Sequence, residues 1–243
     1  MIDTEAFERA VSEACNSVLG GIGTYNEKTQ HRALKYYLEP DSDYHEVAID
    51  SFVADVFRDG HIFEIQTSGF KALCSKLEVF LSKYKVTVIY PVVASKTIYW
   101  TDKTTGEVTA GNRVSRSKAK FKLFSELVHI NEYISHENLR IMVIETEARE
   151  YRMLDGRGAD KKIKATKVDM IPTRILSATE INDIDDLKVF GGFIDGEEFD
   201  RDSIYKKLSL KGRNAANAFK ALQLLHILEF DRNVGRKRIY VVK

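Results

Sequence analysis

The chain has 243 residues, 44% of them hydrophobic and 30% charged, with 14 glycines and 3 prolines, which excludes low-complexity, collagen-like and disordered classes. No apolar run reaches the length of a membrane span, and the Met1-Ile2-Asp3-Thr4-Glu5 start has no basic leader, so a cytoplasmic protein is expected. Two cysteines and six scattered histidines supply neither a disulfide framework nor a zinc spacing.

Residues 3–19 predict a helix, with Phe7, Ala10, Val11, Ala14, Val18 and Leu19 at helical spacing and Gly20-Gly21 as its stop. Thr24-Tyr25-Asn26-Glu27 is a capping-box pattern that opens a second helix to about Leu38. Strands follow at 45–50, 52–58 and 61–67, with Arg58-Asp59-Gly60 as the turn between the last two. A helix over 69–84 puts Phe70, Leu73, Cys74, Leu77, Phe80, Leu81 and Tyr84 on one face. Val86–Tyr90 predicts a buried strand that ends at Pro91. Cys15 and Cys74 fall on apolar helix faces and read as buried thiols. This order predicts an α/β fold, a mixed central sheet flanked by helices. Beyond it lie an inserted hairpin (98–108), a helix (118–134), a core strand (139–147) and a basic loop (155–167).

The tail reads differently. Residues 199–208 predict a helix and Lys211-Gly212 a turn. Residues 213–226 predict a second helix with Ala216, Phe219, Leu222 and Leu225 inward, and a hairpin follows around Asn233-Val234-Gly235.

A formal net charge of +1 hides three basic patches. Residues 211–243 carry +6, residues 155–167 carry +3, and residues 113–122 hold five basic side chains and no acid. Such patches point to anionic partners at defined places, the alternative being solvated surface lysines.

The most informative feature is a pair of acids in apolar surroundings. Asp55 interrupts Phe52-Val53-Ala54-Asp55-Val56, and Glu64 interrupts His61-Ile62-Phe63-Glu64-Ile65. A buried carboxylate is costly unless a cation pairs with it. Glu64 and Gln66 are two residues apart, so a strand points both to one face. Oxygen-bearing side chains converging there suit a hard ion, Mg²⁺ or Mn²⁺. The alternative is an ordinary ion pair with a nearby Lys or Arg.

An Asp followed across a hairpin by Glu-x-Lys or Glu-x-Gln resembles the PD-(D/E)XK nuclease superfamily. Ala54-Asp55-Val56 and Glu64-Ile65-Gln66-Thr67-Ser68 resemble the nuclease core of the competence protein CoiA, over roughly residues 24–95. The resemblance implies a restriction-endonuclease-like domain (1–176) that hydrolyses DNA phosphodiester bonds. It implies that Asp55 and Glu64 bind the metal with the Ile65 carbonyl. Gln66 would bond the attacking water or a phosphate oxygen, and Glu27 would join from the leading helix, although a capping box explains Glu27 locally. Gln66 stands where Lys is commoner and supplies no positive charge. His31 could face a phosphate, and Lys71 or Lys76 could replace that charge; solvent-facing or core side chains are the plainer reading. Glu46 is a weaker alternative ligand, and Asp50 a turn residue.

Helix, turn, helix, hairpin resembles a winged helix-turn-helix domain (177–243). That resemblance implies that Arg213, Asn214, Asn217 and Lys220 meet base edges and phosphates of double-stranded DNA. Arg232, Arg236, Lys237 and Arg238 would place wing charge against the backbone. A protein-binding or homodimerising module is the alternative. Tyr99 and Trp100 could stack on bases, or simply pack. The sequence therefore predicts a metal-dependent nuclease, with a non-catalytic DNA-binding regulator or a protein-assembly subunit as the rival.

Overall fold

The computed structural model describes residues 2–16, 29–157 and 163–243. It begins with α1 (Thr4–Asn16) and α2 (Thr29–Leu38). Phe7, Ala10 and Ala14 form the buried stripe of α1, as its spacing requires. The expected helix stop at Gly20-Gly21 and the cap Thr24–Glu27 lie outside the described residues.

The strands β1 (His45–Ile49), β2 (Phe52–Arg58) and β3 (His61–Ile65) form the expected antiparallel meander. A 3-10 turn (Phe70–Leu73) leads into α3 (Cys74–Phe80). Next come β4 (Lys85–Asp102), β5 (Val108–Ser115), α4 (Leu123–Leu127), β6 (Leu139–Leu154) and β7 (Thr166–Ile181). Among the described residues these seven strands make one sheet in the order β1-β2-β3-β4-β6-β7, with β5 paired to β4. β3, β4 and β6 run parallel; the meander and β7 are antiparallel. Helices α1 and α2 pack over Ile65, Ile89, Ile144 and Ile175. On the other face α3 and α4 pack over Val86, Val88 and Tyr90. The fold is therefore α/β, with a mixed sheet between helices.

Three expectations need correction. Pro91 does not end its strand. The Ile89 carbonyl accepts the Gln66 amide at 2.9 Å, so the polar groups of Ile89 face β3. The Pro91 nitrogen faces the same side, past the end of β3 and before β5 pairing begins at Ser95, where no ladder bond is lost. The hairpin at 98–108 is thus the outer end of a core strand rather than an insertion. Second, the helix expected over 118–134 is a 3-10 turn (Ala119–Lys122), the five-residue α4 and another 3-10 turn (Asn131–Tyr133). Its apolar residues Phe121, Phe124, Leu127 and Ile130 recur every third position, the period of a 3-10 helix. Third, Cys15 and Cys74 are half-buried free thiols, and the Cys74 thiol donates to the His129 carbonyl at 3.1 Å.

β7 was not legible and runs across the 176/177 division. After it come α5 (Ile184–Gly191), β8 (Glu198–Asp200), α6 (Arg201–Leu208), α7 (Gly212–Leu224), β9 (Leu228–Val234) and β10 (Lys237–Val242). Asp183 and Asp200 cap α5 and α6, each accepting a backbone amide at 2.8 Å. The strands form a second sheet, β8-β10-β9. This unit is not separately cored: Leu187, Phe193, Ile204, Phe219 and Leu222 join one buried cluster with Phe124, Val88 and Phe80. No helix among the described residues is long and apolar enough to cross a membrane.

Candidate active site

The meander is where the carboxylates meet. The last paired residues of β2 and β3 are Val56 and Phe63, so Asp55 and Glu64 face each other one step further on. There the carboxylates take over from the backbone ladder. The Ile65 amide donates to Asp55 Oδ2 at 2.7 Å, and the Asp55 amide donates to Glu64 Oε1 at 3.3 Å. Glu64 is 2% exposed.

A lysine and a histidine close the site. Lys76, from α3, donates to Glu64 Oε2 at 2.8 Å and to the Val53 carbonyl at 2.7 Å. His31 Nε2, from α2, lies 3.2 Å from Asp55 Oδ2. Lys76 is not a free surface lysine, and His31 does not face solvent; both are half-buried. Each stands on a core-facing stripe: Leu73 at the start of α3 with Lys76, Leu77 and Phe80 on it, and His31, Leu34, Lys35 and Leu38 on α2. A polar residue inside an i, i+3, i+4, i+7 apolar pattern is turned inward, so the signal was present in the spacing.

Other expected members stand apart. The Gln66 side-chain amide donates to the Ser68 carbonyl at 2.5 Å, within its own turn. Glu27 lies outside the described residues. Glu46 has a φ of 50°, which breaks its strand parity, and pairs with Lys35 at 2.5 Å. Asp50 sits in the β1–β2 turn and pairs with Lys83. Lys71 is exposed.

Burial and the Asp55 charge push the Glu64 carboxyl up to about 7, against the pull of Lys76. Burial also raises Asp55. The His31 hydrogen bond and charge, the Ile65 amide and Lys76 outweigh it and hold Asp55 below the usual carboxylate range. Near neutral pH Glu64 is therefore the member of the pair that takes up a proton part of the time, while Asp55 stays ionised.

A stability profile follows. Folded, Glu64 holds its proton up to about 7, against 4.5 for an ordinary glutamate. The native state binds more protons in that window, so stability falls as pH rises through it. In metal-free buffer the protein is expected to lose roughly 3 kcal/mol between pH 4.5 and 8 relative to Glu64→Gln. Urea melts of both proteins at pH 5 and pH 8 check this, and parallel profiles would show that Glu64 ionises normally.

Among the described residues no three His, Cys, Asp or Glu side chains gather as a metal-binding group. The donor set still fits Mg²⁺, which is commonly held by one or two carboxylates and keeps several of its waters.

In the C-terminal unit, Arg213, Asn217 and Lys220 fall at i, i+4 and i+7 on α7, with Asn217 half-buried and the others, like Asn214, exposed. Arg236 and Arg238 are exposed around the β9–β10 turn. Two of the charges expected in a wing are engaged. Lys237 pairs with Asp200, and both guanidinium nitrogens of Arg232 bond Glu198 at 2.8 Å. Of the basic segment 155–167, residues 158–162 lie outside the described residues.

The fold and site define an α/β protein with a buried and a half-buried carboxylate paired at the end of a strand meander. Residues 28–182 match the model of a domain of unknown function (DUF8091), and the chain belongs to that family. The match takes in all seven strands of the large sheet and stops one residue after β7. The chain is also similar to an uncharacterized protein of Treponema pallidum (strain Nichols), 28% identical over 160 residues. That similarity covers 65% of this chain and 63% of the relative, so the chain spans less than two thirds of the relative's length. No solved structure matches.

Proposed function

We propose that the chain is a restriction-endonuclease-like, metal-dependent nuclease that hydrolyses phosphodiester bonds in DNA, with a winged helix as its second grip. The observation that carries the reading is the half-buried Asp55 opposed to the buried Glu64 across adjacent strands, with Lys76 against the pair. Lys76 answers the objection raised by Gln66. It supplies from α3 the positive charge that Gln66 cannot, and its ammonium is within reach of the carboxylates that would hold Mg²⁺ or Mn²⁺.

Asp55, Glu64 and the Ile65 carbonyl would hold the ion. A divalent ion held there supplies Lewis-acid charge to the phosphodiester and acidifies water. The chain's own residues do the rest. As a ligand Glu64 would have to release to solvent any proton that burial and Asp55 leave on it. Lys76 would then be the ammonium available to a phosphate oxygen. His31 keeps Asp55 ionised and oriented. In the second unit, the α7 stripe of Arg213, Asn217 and Lys220 suits a major groove, and Arg236 and Arg238 suit the flanking backbone.

The rival, a non-catalytic DNA-binding regulator, draws on the same contacts, because Lys76 and His31 already compensate both carboxylates. The test is calorimetric titration of the metal-free protein with Mg²⁺ and Mn²⁺, alongside cleavage assays on plasmid, linear and single-stranded DNA. Binding is expected to raise the melting temperature, with about 1.4 kcal/mol of stabilisation when free metal is ten times Kd. A folded protein that binds neither ion at millimolar concentration and cuts no DNA is the regulator.

A further inference from the structure

β4, β6 and β7 run far beyond the meander. Glu64 stands at the level of Val88 and Ile141 in the parallel ladder. From there one face of the sheet carries Val88, Tyr90 and Val92, all buried beneath the helices. A register shift between Val93 and Ser95 restores the alternation, so the same face continues through Glu147, Arg149 and Tyr151 on β6. It opens as it goes: Thr97, Tyr99 and Tyr151 are half-buried, and Arg113, Arg149 and Arg174 are exposed.

The side chains on this outer face are cationic and aromatic. Tyr99 and Tyr151 stack with ring centres 5.3 Å apart, and the Arg149 guanidinium lies 6.0 Å from the Tyr99 ring centre. Nearer the core, Arg174 bonds Glu147 at 3.0 Å, and Arg113 and Ser95 bond it as well. One carboxylate thus orients two arginines, leaving a net positive charge beside the aromatic pair. At about 3.3 Å per residue, Arg149 stands roughly 26 Å from the level of Glu64, on the same face.

We propose that this outer sheet face docks single-stranded nucleic acid, the strand leading away from the bond at Asp55–Glu64. The proposal rests on the nuclease reading and names its substrate class: a duplex with a single-stranded tail. Charge complementarity points to a phosphodiester chain. The aromatic rings with an exposed guanidinium point to a single strand, because only unpaired bases can splay onto such a platform. A duplex keeps its ring faces stacked on one another and presents phosphates and groove edges, not ring faces.

The test is fluorescence anisotropy of the full chain in EDTA with three labelled DNAs: blunt duplex, the same duplex with a ten-nucleotide tail, and the tail strand by itself. Wild type is expected to bind the tailed duplex at least about tenfold tighter than the blunt one. Tyr99→Ala combined with Arg149→Ala is expected to erase that difference without weakening blunt-duplex binding. Arg149→Glu, an exposed charge reversal that leaves the stacked tyrosines in place, should erase it too. Equal affinity of wild type for both duplexes overturns the proposal, as does a tail preference that survives Arg149→Glu. Cleavage measured separately in Mn²⁺ keeps the two readings apart. Tail binding without cleavage removes the nuclease and keeps the docking face; cleavage indifferent to the variants does the opposite.

Discussion

Asp55→Asn is expected to lower DNA cleavage by at least about two orders of magnitude while leaving the protein folded and its DNA affinity nearly unchanged. The substitution keeps an oxygen for the Ile65 amide, so no buried donor is stranded, but it removes the charge a divalent ion needs. On the proposed reading DNA affinity should persist, because its basic side chains lie on α7 and the β9–β10 turn of the C-terminal unit and not in the meander. Single-turnover cleavage and anisotropy on the same preparation separate the effects. Normal cutting by Asp55→Asn would place the chemistry elsewhere. Lys76→Ala should show a comparable loss of cleavage. Without the pull of Lys76 its Glu64 is expected to hold a proton to higher pH rather than remain charged and unpaired, so stability near neutral pH should change little. Adding Gln66→Lys to Lys76→Ala should restore part of the rate, since residue 66 follows directly on the Glu64 strand. Gln66→Ala, by contrast, breaks only a bond within its own turn, and a smaller loss is expected.

Phe124→Ala carries the largest expected cost in stability, about 3–5 kcal/mol. Phe124 is fully buried on α4, with ring centres 6.5, 5.9 and 5.9 Å from Phe121, Phe190 and Phe193. Phe190 and Phe193 belong to the C-terminal unit, and Gly191 between them has no room for a methyl group: a Cβ there would meet the Phe193 ring at 2.5 Å and Phe124 at 2.9 Å. The cavity left by Phe124 therefore opens at the seam between sheet and tail. Because the two share one buried cluster, wild type should unfold in a single transition, and Phe124→Ala should move that transition as a whole or split it in two. Tm from fluorescence and from circular dichroism checks both points. Unchanged stability would mean that the seam is not packed as described.

Local chemistry alone made the meander readable. Strand alternation and the Asp59-Gly60 turn set β2 against β3, and with that register Asp55 had to face Glu64. The two C-terminal helices and their hairpin were readable for the same reason, since each is announced by helical spacing or turn residues within a few positions. The amphipathic stripes of α2 and α3 also contained His31 and Lys76. What those side chains meet was beyond any local pattern. Lys76 is twelve residues from Glu64, and His31 is further still from Asp55; only the stacking of helices on opposite faces of one sheet brings both to the carboxylates.

The length of β4, β6 and β7 was hidden for a different reason. Pro91 ends a strand when both of its edges are paired, and here the edge it faces is vacated by β3 before β5 arrives. The charged outer residues Lys96, Arg149, Glu150 and Arg152 carry no local strand signal of their own, and the neighbouring strand supplies the partners, as Lys96 does for the buried Glu150. Local spacing could thus specify elements, the acid pair and the inward face of each helix. Burial, ion pairing and the reach of the sheet depend on residues distant in sequence, and those contacts exist only once the chain has folded.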